Sequence, residues 1–133
     1  MPPPTQVPIK VAITDDNAVF NQGMEILLKL STDMDLIIKA DNGADLLQCL
    51  KNDQPDVILL DLRMPVLDGF ATLQELKKFY PRIKVIILTV DAEASDIRRA
   101  LQNGADAYLL KSSDPEIITN KIRQCYNMIR GKN

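Results

Sequence analysis

The sequence predicts an α/β fold, a doubly wound parallel sheet with helices on both faces. Three observations predict it. Five short apolar runs alternate with five stretches of helical periodicity. Several of those runs are almost uninterrupted Val, Ile and Leu, the pattern of strands buried on both faces. The links between runs are short, as layered α/β domains require. No repeat, low-complexity tract or second-domain linker interrupts the alternation, so one domain accounts for the 133 residues.

The elements follow in order. "MPPPTQVP" (1–8) holds four of the eight prolines and predicts an extended or disordered lead. "IKVAIT" (9–14) is a β-branched strand, followed by a helix presenting Phe20, Met24, Leu27 and Leu28 at one face. "LIIKA" (36–40) precedes a helix carrying Leu47 and Leu50. "DVILLD" (56–61) precedes one carrying Leu73 and Leu76. "KVIILT" (84–89) precedes one carrying Ala94, Ile97 and Leu101, with Gly104 as its C-terminal cap. "AYLLK" (107–111) leads to a last helix with Ile118, Ile122, Cys125 and Ile129 on one side. Ser113 and Glu116 are spaced as its capping box, and Pro115 suits its first turn.

Composition narrows the function. Apolar residues make up 46% of the chain and charged ones 26%, a soluble balance. A net charge of −2 argues against bulk attraction to nucleic acid or anionic membrane. No apolar run approaches the roughly 18 residues of a membrane span, and no signal-peptide pattern opens the chain. Cys49 and Cys125 fall on apolar helix faces and read as reduced core thiols of a cytoplasmic protein. There is no histidine, so any phosphohistidine must belong to another molecule.

Open α/β sheets place their sites at the carboxyl ends of strands. Here those ends carry Asp15 and Asp16, Asp61, Thr89 and Lys111. Three neighbouring carboxylates raise one another's pKa unless a cation joins them. An all-oxygen donor set suits Mg2+. A lysine and a hydroxyl beside it can hold phosphoryl oxygens, and an aspartate can itself accept a phosphoryl group. Singly, each residue has an ordinary role. Asp15, Asp16 or Asn17 can cap the first helix and Asp61 can cap a later one. Thr89 can be a plain strand residue, Lys111 a solvated charge and Tyr108 half-buried core. Five such accidents at one sheet edge are hard to credit together.

The set Asp15-Asp16, "LLDLRMPVLDGF", Thr89 and "GADAYLLK" resembles the receiver domain of bacterial two-component response regulators, over about residues 8 to 131. The resemblance implies a flavodoxin-like fold of strand order 2-1-3-4-5 and a receiver domain over 9–131. It implies Asp61 as phosphoacceptor and Mg2+ as cofactor. Asp16 would be a direct metal ligand, Asp15 one acting mainly through water, and the Arg63 carbonyl a further ligand. Thr89 and Lys111 would contact phosphoryl oxygens. Tyr108 would be an aromatic switch that turns inward as Thr89 moves, and Pro65 and Gly69 would shape the loop into the third helix. A histidine kinase is the implied partner. The surface of helix four, strand five and helix five would change state and could pair with a second copy.

Ser112 stands where many receivers have proline after the lysine, a variant similar to receivers joined to LuxR-type helix-turn-helix domains. Its peptide bond is expected to be trans. DNA would then be contacted only through an output domain not in this chain; the alternative is a stand-alone, diffusible adaptor. Val90, bulkier than the usual small residue there, is expected to narrow access to Asp61. The Arg63 side chain could reach the phosphate or point into water, and Arg98 and Arg99 read as solvated charges, with a partner surface as the alternative. A haloacid-dehalogenase-type phosphohydrolase needs an acid two residues after its nucleophile, where this chain has Arg63. A flavodoxin needs a Ser/Thr/Gly-rich loop where this chain has "TDDNAVF". A degenerate receiver, acting only as a docking module, would lack some of the acceptor, metal and switch positions that are all present here.

Overall fold

The structure is a computed structural model and describes residues 7–64, 68–91 and 93–129. Most of the expected N-terminal lead, Pro65 and the end of the expected domain at 130–131 lie outside the described residues. Val7 and Pro8 are exposed coil.

The elements alternate without exception: β1 (Ile9–Thr14), α1 (Ala18–Leu30), β2 (Met34–Ala40), α2 (Gly43–Cys49), β3 (Val57–Leu60), α3 (Gly69–Phe79), β4 (Lys84–Thr89), α4 (Ala94–Gln102), β5 (Ala107–Leu110) and α5 (Pro115–Ile129). All pairings are parallel and the sheet order is β2-β1-β3-β4-β5. This is the flavodoxin-like order. It places β1 and β3 side by side at the centre, where the order reverses direction. Their carboxyl ends, and so Asp15 and Asp61, are neighbours by register: Thr14 pairs with Leu60.

The pleat sorts each central strand between two cores. Val57 and Leu59 join Val11, Ile13, Ile86 and Leu88 under α1 and α5, against Met24, Leu28, Ile118, Ile122 and Cys125. Ile58 and Leu60 join Ala12, Val85 and Ile87 under α2, α3 and α4, against Leu46, Leu50, Leu73, Leu76 and Ala100. Every residue of β3 is buried, so the strand is held on both faces and its end is fixed in space. Both cysteines are free thiols; Cys125 is buried and Cys49 half-buried.

Three expected details are corrected. β2 begins at Met34, two residues early, because an edge strand buried on alternate residues shows no continuous apolar run. Leu46 of α2 and Leu50 just after it are the buried pair, with Leu47 only half-buried. In α4, Ala94 is exposed and Leu101 is 50% exposed; the helix rests on Ala100, whose small side chain allows close approach to the sheet.

The cap of α5 also moves by one residue. The helix starts on Pro115 and the Asp114 carbonyl accepts from Ile117 and Ile118, so Asp114, not Ser113, sits at the cap. Glu116 is then one position short of the place from which it could close the box.

Two glycines are required where they stand. Gly104 ends α4 at φ 97°, a left-handed conformation costly for other residues. At Gly69 a Cβ would overlap Leu62 Cα and lie 2.5 Å from the Asp61 carbonyl oxygen. α3 therefore packs directly on the segment that leaves Asp61. Among the described residues no helix is long and apolar enough to cross a membrane.

Candidate functional site

The ends of β1, β3, β4 and β5 converge on Asp61. Its backbone N–H donates to the Thr14 carbonyl at 3.1 Å, extending the β1–β3 ladder by one residue. Its Oδ1 accepts from the Arg63 backbone N–H at 3.3 Å, and Lys111 Nζ stands 3.3 Å from its Oδ2. The residue is 7% exposed. Burial raises its pKa above the ordinary carboxylate value, and the nearby Asp15 charge adds to the rise. The Arg63 N–H and the Lys111 ammonium oppose it without reversing it.

Neither Asp15 nor Asp16 caps α1. Asn17 does, accepting from the Phe20 N–H at 3.0 Å. Asp15 is 2% exposed. Its Oδ1 accepts from the Asn17 N–H at 2.9 Å and its Oδ2 pairs with Lys111. Asp61 caps no helix either, since Asp68 caps α3 through the Ala71 N–H. With the ordinary roles filled by other residues, the three acids face one another. Asp15, Asp16 and Asp61 offer carboxylate oxygens within 4.8 Å of each other, with Asp16 exposed and the other two buried.

The charges at this end are unbalanced. Among the described residues three carboxylates meet one ammonium, leaving two negative charges close together. Hard oxygen donors, a deficit of two positive charges and one solvent-facing acid fit a divalent cation of the Mg2+ kind, which keeps part of its water shell.

Lys111 is carried in by the β5 end, where its N–H donates to the Thr89 carbonyl at 2.8 Å. Its Nζ also lies 4.7 Å from the centre of the Phe20 ring. Its side chain is 9% exposed, which makes it a held charge, not a surface one. Thr89 ends β4 and is 3% exposed. Tyr108 pairs with Ile87 and packs against the core beneath α3 and α4. Its hydroxyl is buried with no hydrogen-bond partner among the described residues. Burial, followed by the charges of Asp91 and Asp96, raises its pKa. The Lys111–Ser112 bond is trans, as expected.

Several positions differ from expectation or escaped it. The Arg63 side chain neither meets Asp61 nor hangs free: its Nη2 donates to Asp96 Oδ2 at 2.8 Å. Arg99 is not a simple solvated charge, since its guanidinium lies 4.0 Å from the Phe70 ring centre. Asn21 was invisible in the sequence. It is buried, donates to the Asp15 carbonyl at 2.8 Å and so orients the acidic turn. Its only signal was a polar residue next to the apolar face of α1. Beside the acids opens a cleft of about 490 Å³ lined by Asp16, Arg63, Phe70, Asp96 and Arg99 among others.

Residues 11–123 match the response regulator receiver domain family. The chain belongs to that family. As a receiver domain it is similar to the response regulator protein VraR of Staphylococcus saprophyticus, 36% identical over 121 residues, which are 91% of this chain and 58% of VraR. The nitrate/nitrite response regulator protein NarP of Escherichia coli is 38% identical over 120 residues, covering 90% of this chain and 56% of NarP. The chain thus spans less than two thirds of these relatives. Among solved structures, the receiver domain of the NarL response regulator of Mycobacterium tuberculosis superposes with a TM-score of 0.85 at 32% identity, covering 90% of this chain and 97% of that one. A LuxR-family DNA-binding response regulator from Staphylococcus aureus gives 0.84 at 32% identity, covering 90% and 99%. Receivers of this family are signalling proteins that histidine kinases phosphorylate, and they bind Mg2+ at an acidic pocket; this chain carries an acidic cluster of Asp15, Asp16 and Asp61.

Proposed function

We propose that this receiver domain is a phosphorylation switch in which Asp61 accepts a phosphoryl group from a histidine kinase. The convergence of Lys111, Asp15 and Asp16 on the buried, fixed carboxylate of Asp61 carries the reading. An Asp61 oxygen attacks the phosphorus of the kinase's phosphohistidine. The N–P bond breaks, its electron pair stays on the imidazole nitrogen, which takes up a proton, and Asp61 becomes an acyl phosphate. The ammonium of Lys111 offsets charge on the equatorial oxygens. Thr89 supplies a hydroxyl to one of them. Asp15, Asp16, Asp61 and the Arg63 carbonyl would hold Mg2+, which supplies electrostatic shielding between the acids and the incoming phosphoryl group.

The switch follows from differential contacts. A phosphoryl group that gains Thr89 and Lys111 favours the conformer in which they approach it. Tyr108, whose ring already packs inward with its hydroxyl unpartnered among the described residues, moves with Thr89. The affected surface is that of α4, β5 and α5, where Leu101, Leu110 and Ile117 are exposed and available to a second copy or an output domain. The relatives' greater length supports the output reading, with a DNA-binding domain beyond this chain and transcription as the target. The domain acts on itself, forming and slowly losing its own acyl phosphate, with no substrate turnover.

Incubation with acetyl phosphate and Mg2+ followed by intact mass tests this. The wild-type chain should gain one phosphoryl group and Asp61→Asn none. An equal gain in both would move the acceptor elsewhere.

A further inference from the structure

The cleft beside Asp61 holds an ion pair that the reaction above does not use. Arg63 Nη2 donates to Asp96 Oδ2 at 2.8 Å, joining the segment after β3 to the first turn of α4. The backbone N–H of the same Arg63 donates to Asp61 Oδ1. One residue therefore touches the acceptor through its backbone and α4 through its side chain. Arg63 and Asp96 both line the open cleft, so the guanidinium has room to move.

Among the described residues, little else holds the start of α4. Its N-cap, Glu93, makes no side-chain capping bond, and Ala100 is its buried residue. The ring contact of Arg99 with Phe70 and the hydrogen bond from Gln74 to Asn103 anchor its second half. The Arg63 side chain is 68% exposed, so the pair with Asp96 is a weak, exchangeable one.

We propose that Arg63 is a two-position cation: it pairs with Asp96 while Asp61 is a free carboxylate, and moves to the phosphoryl oxygens once Asp61 is acylated, releasing the first turn of α4. The inference rests on Asp61 being the phosphoacceptor. A phosphoryl group brings about 1.5 to 2 negative charges and three strong acceptors. It appears next to the backbone of Arg63 and offers the bidentate geometry a guanidinium prefers to its single contact with Asp96. The abandoned Asp96 stays in the first turn of α4, where the helix dipole favours a negative charge, so its loss of a partner costs little. Coupling is reciprocal: whatever loosens Asp96 must favour the acyl phosphate by the same factor.

The test uses the whole chain with acetyl phosphate and Mg2+, in four forms: wild type, Asp96→Asn, Arg63→Gln and the double variant. Intact mass follows phosphorylation, and amide exchange follows residues 93–98. In the wild type, phosphorylation should speed exchange in the first turn of α4. Asp96→Asn should show that faster exchange before any donor is added and should accumulate acyl phosphate several-fold more. In the double variant the effect of Asp96→Asn should vanish, leaving the behaviour of Arg63→Gln. An Asp96→Asn effect of equal size with and without Arg63 overturns the exchange, as does wild-type α4 exchange that phosphorylation leaves unchanged. Absence of any mass gain in the wild type would instead remove Asp61 as acceptor, and the exchange with it.

Discussion

Lys111 Nζ stands 3.3 Å from Asp61 Oδ2, although the two residues leave strands that are not neighbours. β4 lies between them, so the lysine side chain reaches across the strand end that carries Thr89. The same ammonium also pairs with Asp15. One cation thus serves two buried acids, and that sharing sets how stability and chemistry respond to change.

Replacing Lys111 by Met leaves both acids without a charge partner. Removing one member of a buried ion pair costs about 3–5 kcal/mol at neutral pH. With the ammonium gone, nothing but the Arg63 N–H opposes the rise in the Asp61 pKa, so Asp61 takes up a proton more readily and the penalty shrinks toward acid pH. Urea unfolding at pH 7 and at mildly acid pH, without divalent cation, measures both; a pH-independent loss contradicts the sharing.

Asp61→Asn should stabilise the fold at neutral pH. The raised pKa of Asp61 means that the folded state binds more protons than the unfolded one between the ordinary and the raised value. The stability linked to that proton is complete below the ordinary value, and is lost as pH rises through the raised one. Asparagine removes the loss. The expected gain is a higher melting temperature at neutral pH than that of the wild type. It should disappear below the usual aspartate range, and thermal melts across pH will show whether it does.

Divalent cation should raise the melting temperature of the wild type. Binding at 100 times the dissociation constant contributes about 2.7 kcal/mol. Asp16→Asn should lose most of that gain, although Asp16 is exposed and its replacement barely affects the cation-free fold. A wild-type melting temperature indifferent to Mg2+ would count against the acidic cluster as a metal site.

Gly69→Ala should be among the most damaging small substitutions. The added methyl meets the backbone of Leu62 and the Asp61 carbonyl, neither of which can swing aside. A loss of at least about 3 kcal/mol is expected. Variants that still fold should phosphorylate slowly, because relief of the clash shifts Asp61. Urea midpoints and acetyl phosphate labelling read the two effects separately.

Val90→Ala tests the expected narrowing of the approach to Asp61. Val90 is 71% exposed, just after Thr89 at the rim of the site. Faster labelling by acetyl phosphate and a shorter acyl phosphate lifetime are expected, with the melting temperature nearly unchanged. If both rates match the wild type, the valine does not gate the site.

Much was legible in the chain. The alternation of apolar runs and helical stretches specified five strands and five helices, because a strand buried on both faces and a helix buried on one leave different periods. The strand-end positions of Asp15, Asp16, Asp61, Thr89 and Lys111 followed from where those runs stopped. The faces of α2 and α4 were misjudged, because short helices with few apolar residues allow more than one rotation. Packing chose Leu46 over Leu47, and Ala100 over Leu101.

What the sequence determined by itself was local: the type of each element, the chemistry at each strand end and a glycine cap at position 104. What only the tertiary structure decided was distance between residues far apart in the chain. It brought Lys111 to Asp15, seated Arg63 on Asp96, and aimed Asn21 at the Asp15 carbonyl. Periodicity reports which side of an element is apolar. It contains no term for how two elements dozens of residues apart are rotated against each other, and that rotation settles which charges meet.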